Sequence, residues 1–301
     1  MKNYLLIACL AMLLSSCSTE EDFNQDKQDL VTETKDNATI ASRSGTVTGQ
    51  YGIYHDPDYR WAFVQNNIWS LDDGDYGADP QQYVWYNDIN NWGVKAYTTT
   101  GKYSYSGVKS YAGLVYGRHY NNVSRNNNGF PKQIKNITSN LTAEWSMYVL
   151  NDGGSGAKYN SSFDIWFDPN QNQQSTNKYE IMIWTKRKGQ WPINENNNIN
   201  TPWKSNVWVW NAYYNVYKGS IGQQQVLTFV QLTGYNGSNN GTGYINAPLK
   251  KFIDNAVSWG WMSNTNYLTS IQAGFEICTA GTGPADNQKA NFVTSKFSLR
   301  I

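Results

Sequence analysis

Two histidines and three cysteines in 301 residues leave almost nothing from which to build a metal centre. His55 and His119 are far apart in sequence. Neither a Gly-x-Ser-x-Gly nucleophile elbow nor a Gly-rich phosphate loop is present. The acidic turns DPDYR (56–60) and LDDGD (71–75) lack the spacing of a calcium loop and read as ordinary turns. No metal and no cofactor are therefore expected. Charge is scarce as well, with 16% Asp, Glu, Lys and Arg and a net charge of +1. That balance offers no basic stripe, so no nucleic-acid partner is expected. Long apolar runs are also missing. The run from Tyr4 to Leu14 is too short to cross a bilayer, which takes about 20 residues.

That run reads as an export signal, with Lys2 before it and small residues after it. Leu14-Ser15-Ser16-Cys17 resembles a bacterial lipobox, in which the cysteine is lipidated and becomes the mature N-terminus. The expected organisation is a signal peptide over 1–16 and lipidated Cys17 with a flexible polar tether over 17–45. A single domain over 46–301 follows. Glu20-Glu21-Asp22 resembles a signal that sends Bacteroides-type lipoproteins to the outer face of the outer membrane. Membrane contact would then run through lipid alone, and the protein is expected to be a monomer. Cys9 leaves with the signal and Cys17 carries lipid, so Cys278 is expected to stand alone without an intramolecular disulfide.

What the chain has in abundance is aromatic and amide surface, with 13 Trp, 22 Tyr and 15% aromatics overall. Few charges and many aromatics and amides suit a neutral hydroxylated ligand such as a sugar, although Tyr and Trp also favour strands for their own sake. From Thr46 onward, short alternating segments recur between Gly, Asn and Asp turns. Only 246–260 reads as a helix, with Leu249, Phe252, Ile253, Ala256 and Val257 on one face and Pro248 near its start. Many strands, one helix and no internal linker predict an all-β jelly-roll sandwich of two antiparallel sheets.

Three of these strands carry a carboxylate opposite an apolar row. In KYEIMIWTK (178–186), Tyr179, Ile181 and Ile183 share one face, and Glu180, Met182 and Trp184 share the other. In SSFDIWFDP (161–169), Phe163, Ile165 and Phe167 oppose Ser162, Asp164, Trp166 and Asp168. In QAGFEICTAG (272–281), Phe275 and Ile277 oppose Gly274, Glu276 and Cys278. Residues 169–177 read as a turn, so the first two strands should form a hairpin with Trp166 opposite Glu180 and Asp164 opposite Met182. Asp164 and Glu180 then lie diagonally on one face, within about 8 Å at the backbone. Carboxyls that close should perturb one another. Two carboxylates flanking a sugar are what glycoside hydrolysis needs. A non-catalytic carbohydrate binder on the same sandwich would need the aromatics and not the acids.

Five segments in order carry a family resemblance: VQNNIW (64–69), GVKSYAG (107–113), FDIWF (163–167), EIMIW (180–184) and IQAGFEI (271–277). Together they resemble glycoside hydrolase family 12, concanavalin-like jelly-roll endoglucanases and xyloglucanases with an open substrate cleft. The resemblance implies Glu180 as nucleophile, Glu276 as general acid/base and Asp164 as the auxiliary acid that tunes Glu180. It implies Asn67, Trp69, Met182 and Trp184 as residues lining a glucan cleft, with Trp166 beside them. It further implies retaining double displacement on a β-1,4-glucan, with xyloglucan favoured, mixed-linkage glucan next, and cellulose an alternative. Cys278 departs from the pattern, because an aromatic commonly stands at that position.

Overall fold

The computed structural model describes residues 44–68, 82–97, 107–125, 129–234, 242–281 and 290–301. The signal segment, Cys17, the tether, Trp69 and the LDDGD turn lie outside the described residues. In chain order the strands are β1 (Gly45–Val47), β2 (Ile53–Tyr54), β3 (Ala62–Gln65), β4 (Gln82–Asp88), β5 (Asn91–Ala96) and β6 (Ser110–His119). They continue with β7 (Asn122–Val123), β8 (Lys132–Gln133), β9 (Thr142–Asp152), β10 (Lys158–Asp168) and β11 (Tyr179–Lys188). The remainder are β12 (Lys204–Val209), β13 (Ala212–Ile221), β14 (Gln224–Gly234), β15 (Thr242–Pro248), helix α1 (Leu249–Ser258), β16 (Tyr267–Thr279) and β17 (Ala290–Arg300).

These strands build two stacked sheets, as the alternation predicts. The smaller has the order β1-β4-β5-β17-β9-β15, and the larger runs β12-β13-β14-β11-β10-β16-β6-β3-β2. Between them lies one apolar core holding Tyr179, Ile181 and Ile183 of β11, Phe163, Ile165 and Phe167 of β10, and Phe275 and Ile277 of β16. The smaller sheet answers with Trp92 and Trp145, whose rings stack 6.5 Å apart, and with Phe292, stacked 4.6 Å from Phe275. Burying rings of this size dominates the stability of such a core. Helix α1 seats Leu249, Phe252, Ile253 and Ala256 in the same core and starts at Pro248, where the missing N–H costs nothing.

The expectation of two antiparallel sheets needs one correction. Strand β14 pairs with β11 in parallel, while its other neighbour β13 is antiparallel. A parallel pair cannot be closed by a tight turn and needs a long connection back across the sheet. Residues 189–203 make that return. Ile193 of this crossover packs against Met182, Trp184, Tyr217, Val226 and Val230, which form a second apolar cluster on the outer face of the larger sheet. Tyr217 Oη donates to the Ile199 carbonyl at 2.9 Å, and the Glu195 amide donates to the Lys218 carbonyl at 2.8 Å. Gly219 lets the crossover lie this close: a Cβ there would sit 2.4 Å from Ile193 Cγ2.

Cys278 also departs from expectation, since it is buried and disulfide-bonded rather than alone. The first acidic turn is structural. Asp56 accepts hydrogen bonds from the Asp58 and Tyr59 amides and from Tyr86 Oη.

Gly219→Ala should therefore push the crossover off the sheet. We expect a loss of about 1–3 kcal/mol in urea unfolding. An unchanged midpoint would show that the crossover yields freely.

Candidate active site

The hairpin register is the one the sequence predicts: β10 and β11 pair Trp166 with Glu180 and Asp164 with Met182. On the other side of β10, strand β16 pairs Asp164 with Gln272, Ser162 with Gly274 and Asn160 with Glu276. Glu180 and Glu276 thus lie diagonally across β10, with Asp164 and Ser162 between their rows. Strand β6 adds Tyr111 opposite Glu276 and Gly113 opposite Gly274. A Cβ on Gly113 would fall 2.6 Å from Gly274 Cα, so no side chain can stand on this pair and the sheet stays flat there.

Asp164 and Glu180 are buried and hydrogen-bonded to each other. Burial raises both carboxyls well above the ordinary range, and neighbouring acid charge adds to it. Together they hold a proton that isolated carboxyls would release. Each has one further donor. Ser162 Oγ donates to Asp164 at 2.7 Å, and Gln224 Nε2 donates to Glu180 at 2.7 Å. Tyr111 packs into the same field: its hydroxyl donates to the Ser162 carbonyl at 3.0 Å, and burial beside Asp164 keeps it protonated.

Glu276 is only partly covered. Burial raises its carboxyl to about 7, against the opposing effect of two amide donors. Asn160 Nδ2 is one, and Gln190 Nε2, at 2.6 Å, is the other. Gln190 comes from the start of the crossover, so the parallel seam supplies a partner for Glu276. Beyond Asp164, the Gln272 amide donates to His119 Nδ1 at 2.9 Å, and Gln65 donates to Gln272 at 3.4 Å. Burial lowers His119 to about 4, so its ring is neutral with the proton on Nε2.

Asn67 is buried beside this face with φ at 43°, and its carbonyl accepts from the Tyr111 amide. Trp166 is half-buried in the Glu180 row. Met182 and Trp184 do share the acid face, but at 5% and 2% exposure they lie beneath the crossover and offer no open stacking surface. Asp168 turns to structure, accepting the Asn170 and Lys178 amides that close the β10–β11 hairpin. Asn160, Gln190 and Gln224 are additions to the residues singled out from the sequence. Asn160 shares the row of Ser162 and Asp164. Gln190 follows β11 and Gln224 opens β14, and nothing local marks them.

A β-sandwich that gathers three carboxyls with raised pKa among amides and aromatics on one sheet face is built as a carbohydrate-cleaving enzyme. Comparison with known proteins agrees. The family model for glycosyl hydrolase family 12 matches residues 62–298, and the chain belongs to that family. It is 29% identical over 235 residues to Endoglucanase S of Pectobacterium parmentieri, covering 74% of this chain and 78% of that one. It is 28% identical over 243 residues to xyloglucan-specific endo-beta-1,4-glucanase A of Emericella nidulans, covering 79% and 84%. The fold matches the native family 12 xyloglucanase from Bacillus licheniformis with a TM-score of 0.66 at 20% identity, over 85% of this chain and 99% of the other.

The raised Glu276 carboxyl has a consequence for stability. The folded state keeps a proton that the unfolded chain gives up near pH 4.3. Stability must then fall as pH rises from about 4.5 through 7. Urea unfolding at pH 5 and pH 8 should show the parent losing more than Glu276→Gln, by a margin on the order of 2 kcal/mol. That figure is discounted from full linkage because Glu276 keeps some solvent contact. Equal losses in the two proteins would contradict the assignment.

Proposed function

We propose that this family 12 member is an endo-acting, retaining β-1,4-glucan hydrolase whose main substrate is xyloglucan, with mixed-linkage glucan second. One observation carries the reading: Glu276 stands alone, held by two amide donors, diagonally across β10 from Glu180, which is hydrogen-bonded to Asp164. A glycosidase needs this asymmetry, one carboxyl to donate a proton and one to attack.

Glu276 protonates the leaving oxygen as Glu180 attacks the anomeric carbon. For that attack the shared proton of the buried pair must rest on Asp164, so that the negative charge falls on Glu180, where the Gln224 amide steadies it. Formation of the glycosyl ester removes that charge. The Glu276 carboxyl then drops in pKa and takes a proton from the attacking water. Asn160 and Gln190 favour the charged form of Glu276 and assist this second half. Half-buried Trp166 in the Glu180 row is the aromatic assigned to the glucan in this reading, with Asn67 buried beside the acid face, and Met182 and Trp184 support the nucleophile strand from beneath the crossover.

The substrate preference draws on Endoglucanase S and the xyloglucan-specific Emericella nidulans enzyme. It also draws on the sequence-derived location: exported and held at the outer-membrane surface, the protein would meet soluble hemicellulose more readily than crystalline cellulose. The chain acts as a monomer in this reading.

Three measurements test the proposal. Glu180→Gln should lower reducing-end release from tamarind xyloglucan on the order of a thousandfold or more. Glu276→Gln should hurt polysaccharide cleavage far more than cleavage of aryl glycosides with activated leaving groups. NMR of the first product should show the β-anomer; an initial α-anomer would refute retention. A higher kcat/KM on carboxymethyl cellulose or barley β-glucan than on xyloglucan would overturn the substrate assignment and leave the mechanism standing.

A further inference from the structure

The β12–β13 hairpin at the edge of the larger sheet exposes more aromatic surface than its fold requires. Trp208 and Trp210 are each 55% exposed, and Tyr213 is 44% exposed. Trp208 and Tyr213 are cross-strand partners with ring centroids 4.8 Å apart, and Trp210 stands at the hairpin tip with φ at 60°. Strand alternation fixes which way the pair points. Val207, Val209, Ala212, Tyr214 and Val216 pack on or within the sandwich core, so Trp208 and Tyr213 face the other way. That is the face which carries Glu180. Large aromatic side chains exposed together at a sheet edge mark a binding surface more often than chance.

Charge narrows the occupant. Residues 205–217, SNVWVWNAYYNVY, contain no Asp, Glu, Lys or Arg. The flanking lysines are already engaged: Lys204 lies 4.6 Å from the Trp203 ring, and Lys218 pairs with Glu195 at 3.2 Å. The polar groups that remain beside the rings are amides and a hydroxyl, from Asn206, Asn211, Asn215 and Ser205. Such a surface offers nothing to an acidic or basic partner, and it suits the apolar faces and neutral hydroxyls of a pyranose chain.

We propose that Trp208, Trp210 and Tyr213 form a second polysaccharide-binding platform that grips a neutral β-glucan chain outside the cleavage site. The platform is not a continuation of the acid row. Strand β12 lies three strand spacings from β11, about 14 Å across the sheet. The crossover covers Tyr217 and Trp184 on the ground between. The platform holds polymer near the enzyme and raises its local concentration, and short oligosaccharides gain nothing from it. Its ligand class rests on the proposed glucan-hydrolase function; its position does not.

The test uses the triple variant W208A/W210A/Y213A. In a Glu180→Gln background, affinity electrophoresis through gels containing xyloglucan, barley β-glucan or hydroxyethyl cellulose reads polymer binding without cleavage. We expect the triple variant to bind the retarding polymer about tenfold more weakly than Glu180→Gln alone. In the active background, cleavage of a short chromogenic cellotrioside should stay within about twofold of the parent, which also certifies the fold. Equal retardation of the two proteins in every gel would overturn the platform. So would unchanged retardation accompanied by loss of vesicle binding or of self-association in the triple variant, which would give the patch to a membrane or to a second copy. Loss of cellotrioside cleavage in the parent itself would refute the hydrolase function separately, because polymer retardation does not depend on turnover.

Discussion

Everything at this site depends on two carboxyls, Asp164 and Glu180, buried side by side and sharing a hydrogen bond. Neither could be buried as a bare charge, since desolvation alone would cost several kcal/mol for each ion. The fold meets this cost by keeping a proton on the pair and placing one neutral donor on each member, Ser162 on Asp164 and Gln224 on Glu180. The arrangement leaves a single negative charge, shared by the pair and braced from both sides. The apolar rows on the reverse of the same strands hold it in place: Ile165 and Ile181 are as firmly in the core as Asp164 and Glu180 are on the acid face. Period-two alternation thus lets one strand be both wall and reagent.

The second constraint is topological. The parallel pairing of β11 with β14 forces a long return, and residues 189–203 spend it lying across the acid face of the sheet. This crossover buries Met182 and Trp184 and sends Gln190 to Glu276. Glu276 is therefore held from two directions: by Asn160 from the register of β10, and by Gln190 from the crossover that the parallel seam demands. A shift of the crossover would change the protonation of Glu276 without touching any strand. It also divides the sheet face, with the acid row on one side and the uncharged aromatic hairpin on the other.

Much of this could be read in the residue order. Alternation alone places Glu180, Asp164 and Glu276 on the face opposite the core. The short turn 169–177 fixes the hairpin register, because slipping it by one would bury the acids and expose Ile181 and Ile165. Helix α1 is equally legible from its apolar spacing and Pro248. Long-range pairing is what the sequence hides. No local pattern tells that β14 joins β11 in parallel, and so none tells that Met182 and Trp184 end beneath a crossover or that Gln190 and Gln224 reach the acids from chain-distant positions. Asp168 looks like a fourth site carboxylate by alternation and is claimed instead by the turn amides beside it.

The central claim is that the three carboxyls divide their protons unequally. Carbon-13 NMR titration of the Asp and Glu side-chain carboxyls, with Asp164, Glu180 and Glu276 assigned by single amide substitutions, measures this directly. The account predicts one step near pH 7 that vanishes in Glu276→Gln. It also predicts a coupled pair that still holds one proton after ordinary carboxyls have titrated. Three independent titrations near the ordinary value of about 4 would contradict it.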